Sequence, residues 1–103
     1  MITQLPVELP QEQIAAFCVR HDVHKLSLFG SVLTDRFSPA SDIDVLVEFE
    51  PDKGPGYLGL SAMESELSNM LGRKVDLRTP GEISRYFRDK VLAYAVVQYE
   101  RRG

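Results

Sequence analysis

Residues 42–50, DIDVLVEFE, constrain the chain more than any other stretch. Ile43, Val45, Leu46, Val47 and Phe49 make the run β-branched and apolar along most of its length, which suits a buried strand. Asp42 and Asp44 stand at its start. Strand side chains alternate, so these two acids leave one face while Ile43 and Val45 point into apolar packing on the other. Adjacent carboxylates repel each other, and burying them is costly unless a counter-charge is supplied.

No signal elsewhere in the sequence suggests more than one unit. The chain has 103 residues, 44% hydrophobic and 26% charged, which fits one domain over residues 1–103 with one real core. A formal charge of −3 argues against a protein that grips nucleic-acid backbone, so no direct nucleic-acid binding is expected. The single cysteine, Cys18, excludes an internal disulfide and suits a reducing cytoplasm; it lies at helical spacing with Ile14 and Phe17 and reads as core. The N-terminus lacks a signal-peptide pattern, and no apolar stretch reaches the ~20 residues of a membrane span. A soluble, cytoplasmic protein is expected.

Along the chain, a loose arm leads to a helix opened by Pro10, and residues 25–30, KLSLFG, form a short strand ending in glycine. Residues 31–37 form a short helix and SPAS a loop. After the central strand, residues 51–56 are loop, and Leu60, Met63, Leu67, Met70 and Leu71 share one face of a helix stopped by Gly72. RKVDLRT is another strand, and residues 80–100 read as one or two helices. Val91, Leu92, Tyr94, Ala95 and Val97 are too dense for one narrow stripe, so this end is well packed or meets a partner. The pattern is mixed, an α+β fold with a mixed β-sheet flanked by helices.

Asp76 in KVDLR supplies a third acid, between Val75 and Leu77 on a strand that can neighbour the first. Three carboxylates on adjacent strands suit two Mg²⁺ ions and an in-line phosphoryl or nucleotidyl displacement. Upstream, Gly30 ends a strand and Ser31 opens a helix, so backbone, hydroxyl and helix terminus can meet a triphosphate. A P-loop lysine pattern is absent. The bland alternatives are a turn or solvated role for Asp42 and Asp44, and an ion pair with Lys74 or Arg78 for Asp76. His21 and His24 read as solvated or capping residues in a turn, Glu64 and Glu66 as a solvated helix side, and Tyr86, Tyr94 and Tyr99 as core or interface. The terminal ERRG reads as a charged end.

Gly30-Ser31, ten residues, then Asp42-Ile43-Asp44 resembles the G-S-x(10)-D-x-D pattern of polymerase-β-like nucleotidyltransferases. With LFGS, SDIDVLVEF and LGRKVDLRTP, residues 26–80 look more narrowly like minimal nucleotidyltransferase (MNT) antitoxins. The resemblance implies a small nucleotidyltransferase fold and an antitoxin that transfers AMP from ATP to a tyrosine of a HEPN-domain RNase toxin, in a hetero-oligomeric complex. It implies that Gly30 and Ser31 bind the triphosphate. Asp42 and Asp44 would bind both Mg²⁺ ions and Asp76 one, with Asp76 also the base. Many members carry Arg-x-Arg-Gly after the Gly-Ser pair, whereas this chain has Val32, Leu33, Thr34 and Asp35, with Arg36 the nearest basic residue. Basic contacts would then come from Arg73, Lys74 or Arg78. The missing run also leaves open a non-catalytic antitoxin that acts by binding and occlusion.

Overall fold

The computed structural model describes residues 9–34, 37, 38 and 40–101. Residues 1–8 of the N-terminal arm, Asp35, Arg36, Pro39 and the last two residues, on which several sequence expectations fall, lie outside the described residues, while Leu9, at the end of the expected loose arm, is buried in the core. In order, the elements are α1 (Gln11–Arg20), β1 (Val23–Phe29), a 3₁₀ turn (Gly30–Leu33), β2 (Ile43–Phe49), α2 (Tyr57–Leu71), β3 (Val75–Arg78), a 3₁₀ turn (Pro80–Glu82), α3 (Arg85–Tyr94) and β4 (Val96–Glu100).

The four strands form one sheet in the order β3-β2-β1-β4. β1 is antiparallel to both β2 and β4, while β2 and β3 run parallel. That parallel pair needs a crossover, which α2 provides. The sheet is therefore mixed, as expected, in a small α+β fold.

Ile43, Val45 and Val47 of β2 join Val75 and Leu77 of β3 in the core, together with Ile14, Phe17 and Cys18 of α1 and Met63 and Leu67 of α2. Leu60, Met70 and Leu71 pack at its edge, so the apolar face read from α2 is the one that packs. Gly72, at φ 67°, ends α2 in the left-handed conformation. Burial leaves Cys18 fully enclosed and pushes its thiol up to about 12, which suits a packing residue rather than a nucleophile. Among the described residues, no helix is long and apolar enough to cross a membrane.

Several expectations need correction. Residues 96–100 are a strand, not a helix: Leu28 pairs with Val96 and Ser27 with Val97. The helix stops because Ala95 turns to extended backbone, φ −61° and ψ 140°, without a glycine or proline to announce it. The expected helix over 31–37 is a 3₁₀ turn over 30–33, since Thr34 is already extended. His24 lies in β1 rather than a turn, with Nδ1 3.2 Å from Glu50, and His21 Nε2 is 3.0 Å from Glu66.

Glu64 and Glu66 are not a solvated side. Glu64 Oε2 accepts the Leu77 amide at 2.8 Å, capping a donor on the edge strand, and Glu66 pairs with Arg20 and His21 to tie α2 to α1. Arg101 is more than a charged end, donating its amide to His24 O at 2.8 Å. Tyr99 packs against the core, but Tyr86 and Tyr94 are 81% and 70% exposed.

Candidate active site

Alternation along β2 turns Asp44 away from the face where Ile43 and Val45 enter the core, and alternation along β3 does the same for Asp76. The parallel register then sets Asp44 directly beside Asp76. Asp42 stands one step before β2. Its side chain lies 3.8 Å from Lys74 Nζ, and its charge is felt at Asp44. The three acids thus gather at one end of two neighbouring strands.

Gly30 and Ser31 reach the same place from β1, because Phe29 pairs with Asp44 across the antiparallel ladder. Gly30 has φ 76°, a conformation that favours glycine. A Cβ at this position would stand 3.0 Å from Asp44 Cγ and closer still to Oδ2. The Ser31 backbone N–H stands close enough to the Asp44 carboxylate to favour its charged form.

Asp44 is held above the usual carboxylate range. Burial is the largest cause, followed by Asp76; the Ser31 N–H pulls the other way, Asp42 raises it further, and Arg78 lowers it. The local countercharges are modest. Arg78 lies 3.2 Å from Asp76, and Lys74, with its side chain 77% exposed, lies near Asp42. The Asp76–Arg78 ion pair considered from the sequence is therefore present, beside the acid cluster rather than in place of it.

Among the described residues, no three carboxylate, imidazole or thiolate groups already converge closely enough to hold an ion. The donor chemistry nevertheless fits a hard divalent cation: oxygen ligands only, at the start of adjacent strands, with one carboxylate destabilised as an anion by burial and then by its acidic neighbours. Asp42, Asp44 and Asp76 are the residues that could hold it.

Arg73 is the residue whose role sequence reasoning missed. The sequence offers it, with Lys74 and Arg78, as a source of basic contacts to the triphosphate or to the partner; its guanidinium is committed to the carbonyls of Ser38 and Ser41, at 2.7 and 2.8 Å. A spacing pattern carries no signal for such a contact, since the partners are backbone atoms more than thirty residues away.

Asp44 and Asp76 on adjacent strands, with Asp42 just before β2 and a Gly-Ser turn beside them, form the kind of donor set that nucleotidyl transfer would use. Residues 11–98 match the nucleotidyltransferase domain family, and the chain belongs to it. A Methanocaldococcus jannaschii protein named "Putative protein adenylyltransferase MJ0435" is 35% identical over 86 residues, covering 84% of this chain and 90% of its own. A second from the same organism, "Putative protein adenylyltransferase MJ0128", is 41% identical over 64 residues, covering 62% of this chain and 63% of its own.

Among solved structures, one described as a "putative minimal nucleotidyltransferase" aligns with a TM-score of 0.69 at 29% identity, over 84% of this chain and 86% of that one. A toxin–antitoxin crystal structure with AMP-PNP gives a TM-score of 0.73 at 19% identity, over 91% and 76%. A complex of tri-AMPylated Shewanella oneidensis HEPN toxin with MNT antitoxin gives 0.65 at 17% identity, over 88% and 70%. The last two establish likeness of fold.

Proposed function

We propose that this protein is an antitoxin that transfers AMP from ATP to a tyrosine of a cognate HEPN-type RNase toxin and so silences it. The observation that carries the reading is the Asp44–Asp76 pairing across β2 and β3, with Gly30 against Asp44. The relatives named as protein adenylyltransferases support the reaction class. The fold shared with an MNT antitoxin bound to an AMPylated HEPN toxin supports the partner. ATP binding and a single reduced cysteine fit the cytoplasm as the proposed compartment.

In this reading Asp42, Asp44 and Asp76 would hold Mg²⁺, which would neutralise the triphosphate and polarise the α-phosphate. The acceptor hydroxyl oxygen forms a bond to the α-phosphorus as the bond to the bridging oxygen breaks, and pyrophosphate leaves. Asp76 takes the proton at its carboxylate. Gly30, lacking a side chain, leaves room for the Asp44 carboxylate against the turn, and the Ser31 hydroxyl would donate to a phosphate oxygen. Lys74 and Arg78 lie within reach of the acids and offer positive charge that Val32, Leu33, Thr34 and Asp35, directly after Ser31, do not.

Labelled ATP, Mg²⁺ and the cognate toxin test the reading. Transfer of label to the toxin is expected, with loss on Asp42→Ala or Asp44→Ala. Label that persists in both variants contradicts it.

A second reading, neutralisation by occlusion, is favoured by α3. The helix has no buried residue and exposes Tyr86, Phe87, Leu92 and Tyr94, apolar surface that a partner can cover. An Asp42→Ala/Asp44→Ala double variant that still protects cells supports occlusion, and loss of protection counts against it.

A further inference from the structure

We propose that Arg73 is a positioning residue for Asp42, holding the loop that delivers this acid to the site; the proposal rests on the reading of Asp42 as a metal-binding carboxylate. Arg73 follows the left-handed Gly72 at the end of α2 and precedes β3. Its Nη2 carries two hydrogens and donates to two carbonyls, Ser38 O at 2.7 Å and Ser41 O at 2.8 Å. Its guanidinium carbon lies 4.4 Å from the centre of the Phe37 ring. One side chain thus holds both ends of the 38–41 turn and stacks on the residue before it.

The turn is braced from within as well. Ser41 N donates to Ser38 O at 3.0 Å, and Ser38 N donates to Ser41 Oγ at 3.0 Å. Asp42 comes next. On its other side, Ile43 N donates to Lys74 O at 2.9 Å, and Lys74 Nζ lies 3.8 Å from the Asp42 carboxylate. Residues 73 and 74 therefore fix the peptide groups on both flanks of Asp42. β2 pairing begins only at Ile43, so the ladder itself does not fix the backbone before it.

An arginine suits this task better than a lysine. The planar fork supplies paired donors in fixed geometry and a face to stack on Phe37, whereas an ammonium supplies donors without the stack. The chain lacks arginines directly after its Gly-Ser turn, and the far end of the same connecting segment is anchored instead by an arginine from before β3.

The test compares Arg73→Met and Arg73→Lys with the unsubstituted protein. Three quantities are read: amide exchange at Ser41, the melting temperature, and affinity for Mn²⁺·AMP-PNP by calorimetry. For Arg73→Met, faster Ser41 exchange is expected, with affinity weakened by about 10- to 100-fold, the usual effect of losing a residue that orients a metal ligand. Arg73→Lys should recover part of both, while the melting temperature of Arg73→Lys stays close to the unsubstituted value. Unchanged exchange in the variants, or faster exchange with unchanged affinity, overturns the proposal. Should Arg73→Met not fold, Arg73→Lys decides alone: weaker affinity at an unaltered melting temperature supports it, and full affinity overturns it. If the unsubstituted protein does not bind Mn²⁺·AMP-PNP, the functional reading itself fails, and Ser41 exchange still decides whether Arg73 holds the flank of Asp42.

Discussion

Gly30 and Asp44 are in such close contact that no side chain fits between them: a Cβ at residue 30 would overlap the Asp44 carboxylate, 3.0 Å from its Cγ. The same glycine has φ 76°, so an L side chain is disfavoured twice, by backbone conformation and by the acid. Gly30→Ala is therefore expected to cost about 1–3 kcal/mol of stability, the usual range for a residue forced into a strained conformation. Adding Asp44→Ala to Gly30→Ala should recover the part due to the clash and leave the backbone part. Denaturant unfolding of the two single variants and the double variant checks this, and strict additivity would show that the two residues do not interact.

Asp44 gives the site a stability cost with a defined pH sign. Burial, and then Asp76, hold its folded pKa above the unfolded value, so the folded protein binds more protons between the two. The contribution of this group to stability therefore falls as pH rises through that window, and the cost is complete above it. Asp44→Asn removes the charge and keeps an acceptor for the Ser31 N–H. The variant is expected to melt a few degrees higher at neutral pH, with no such gain below the unfolded pKa, while losing transfer activity. Thermal melts across acidic and neutral pH measure it.

Glu66 has the opposite sign. The hydrogen bond from Arg20, and then the one from His21, outweigh partial burial and hold its carboxyl below the usual range. Stability from this group is present above the unfolded pKa and is lost as pH falls through the folded one. In Glu66→Gln the acid limb of the stability profile should flatten relative to the unsubstituted protein. An unchanged acid limb would show that the α1–α2 tie contributes nothing.

Glu64 closes a donor on the edge strand. With its carboxylate removed, the Leu77 amide loses the acceptor now 2.8 Å away. Glu64→Ala is expected to cost about 1–3 kcal/mol if that amide is left unpaired, and less where water reaches it. Urea unfolding gives the figure, and backbone exchange at Leu77 shows whether the amide has been freed.

What could be read from the sequence was local. The alternation in 42–50 and 75–78 placed Asp44 and Asp76 on the face opposite the core, because period two fixes side-chain direction once a strand is recognised. The apolar face of α2 was legible for the same kind of reason. β4 was not, because its identity comes from pairing with β1, and the break at Ala95 is a backbone turn with no glycine or proline. The edge-capping role of Glu64 and the clamp of Arg73 were hidden too, since each serves a backbone group on a distant segment. A polar residue on a helix or loop does not reveal which carbonyl or amide it will meet.

Intact-mass measurement of the cognate toxin, co-expressed with the unsubstituted protein or with Asp76→Asn, decides whether the toxin is modified or merely bound. Mass gains in whole AMP units that map to a tyrosine, and disappear with Asp76→Asn, are the expected result. A toxin that is neutralised at its unmodified mass, equally well by both proteins, would contradict it.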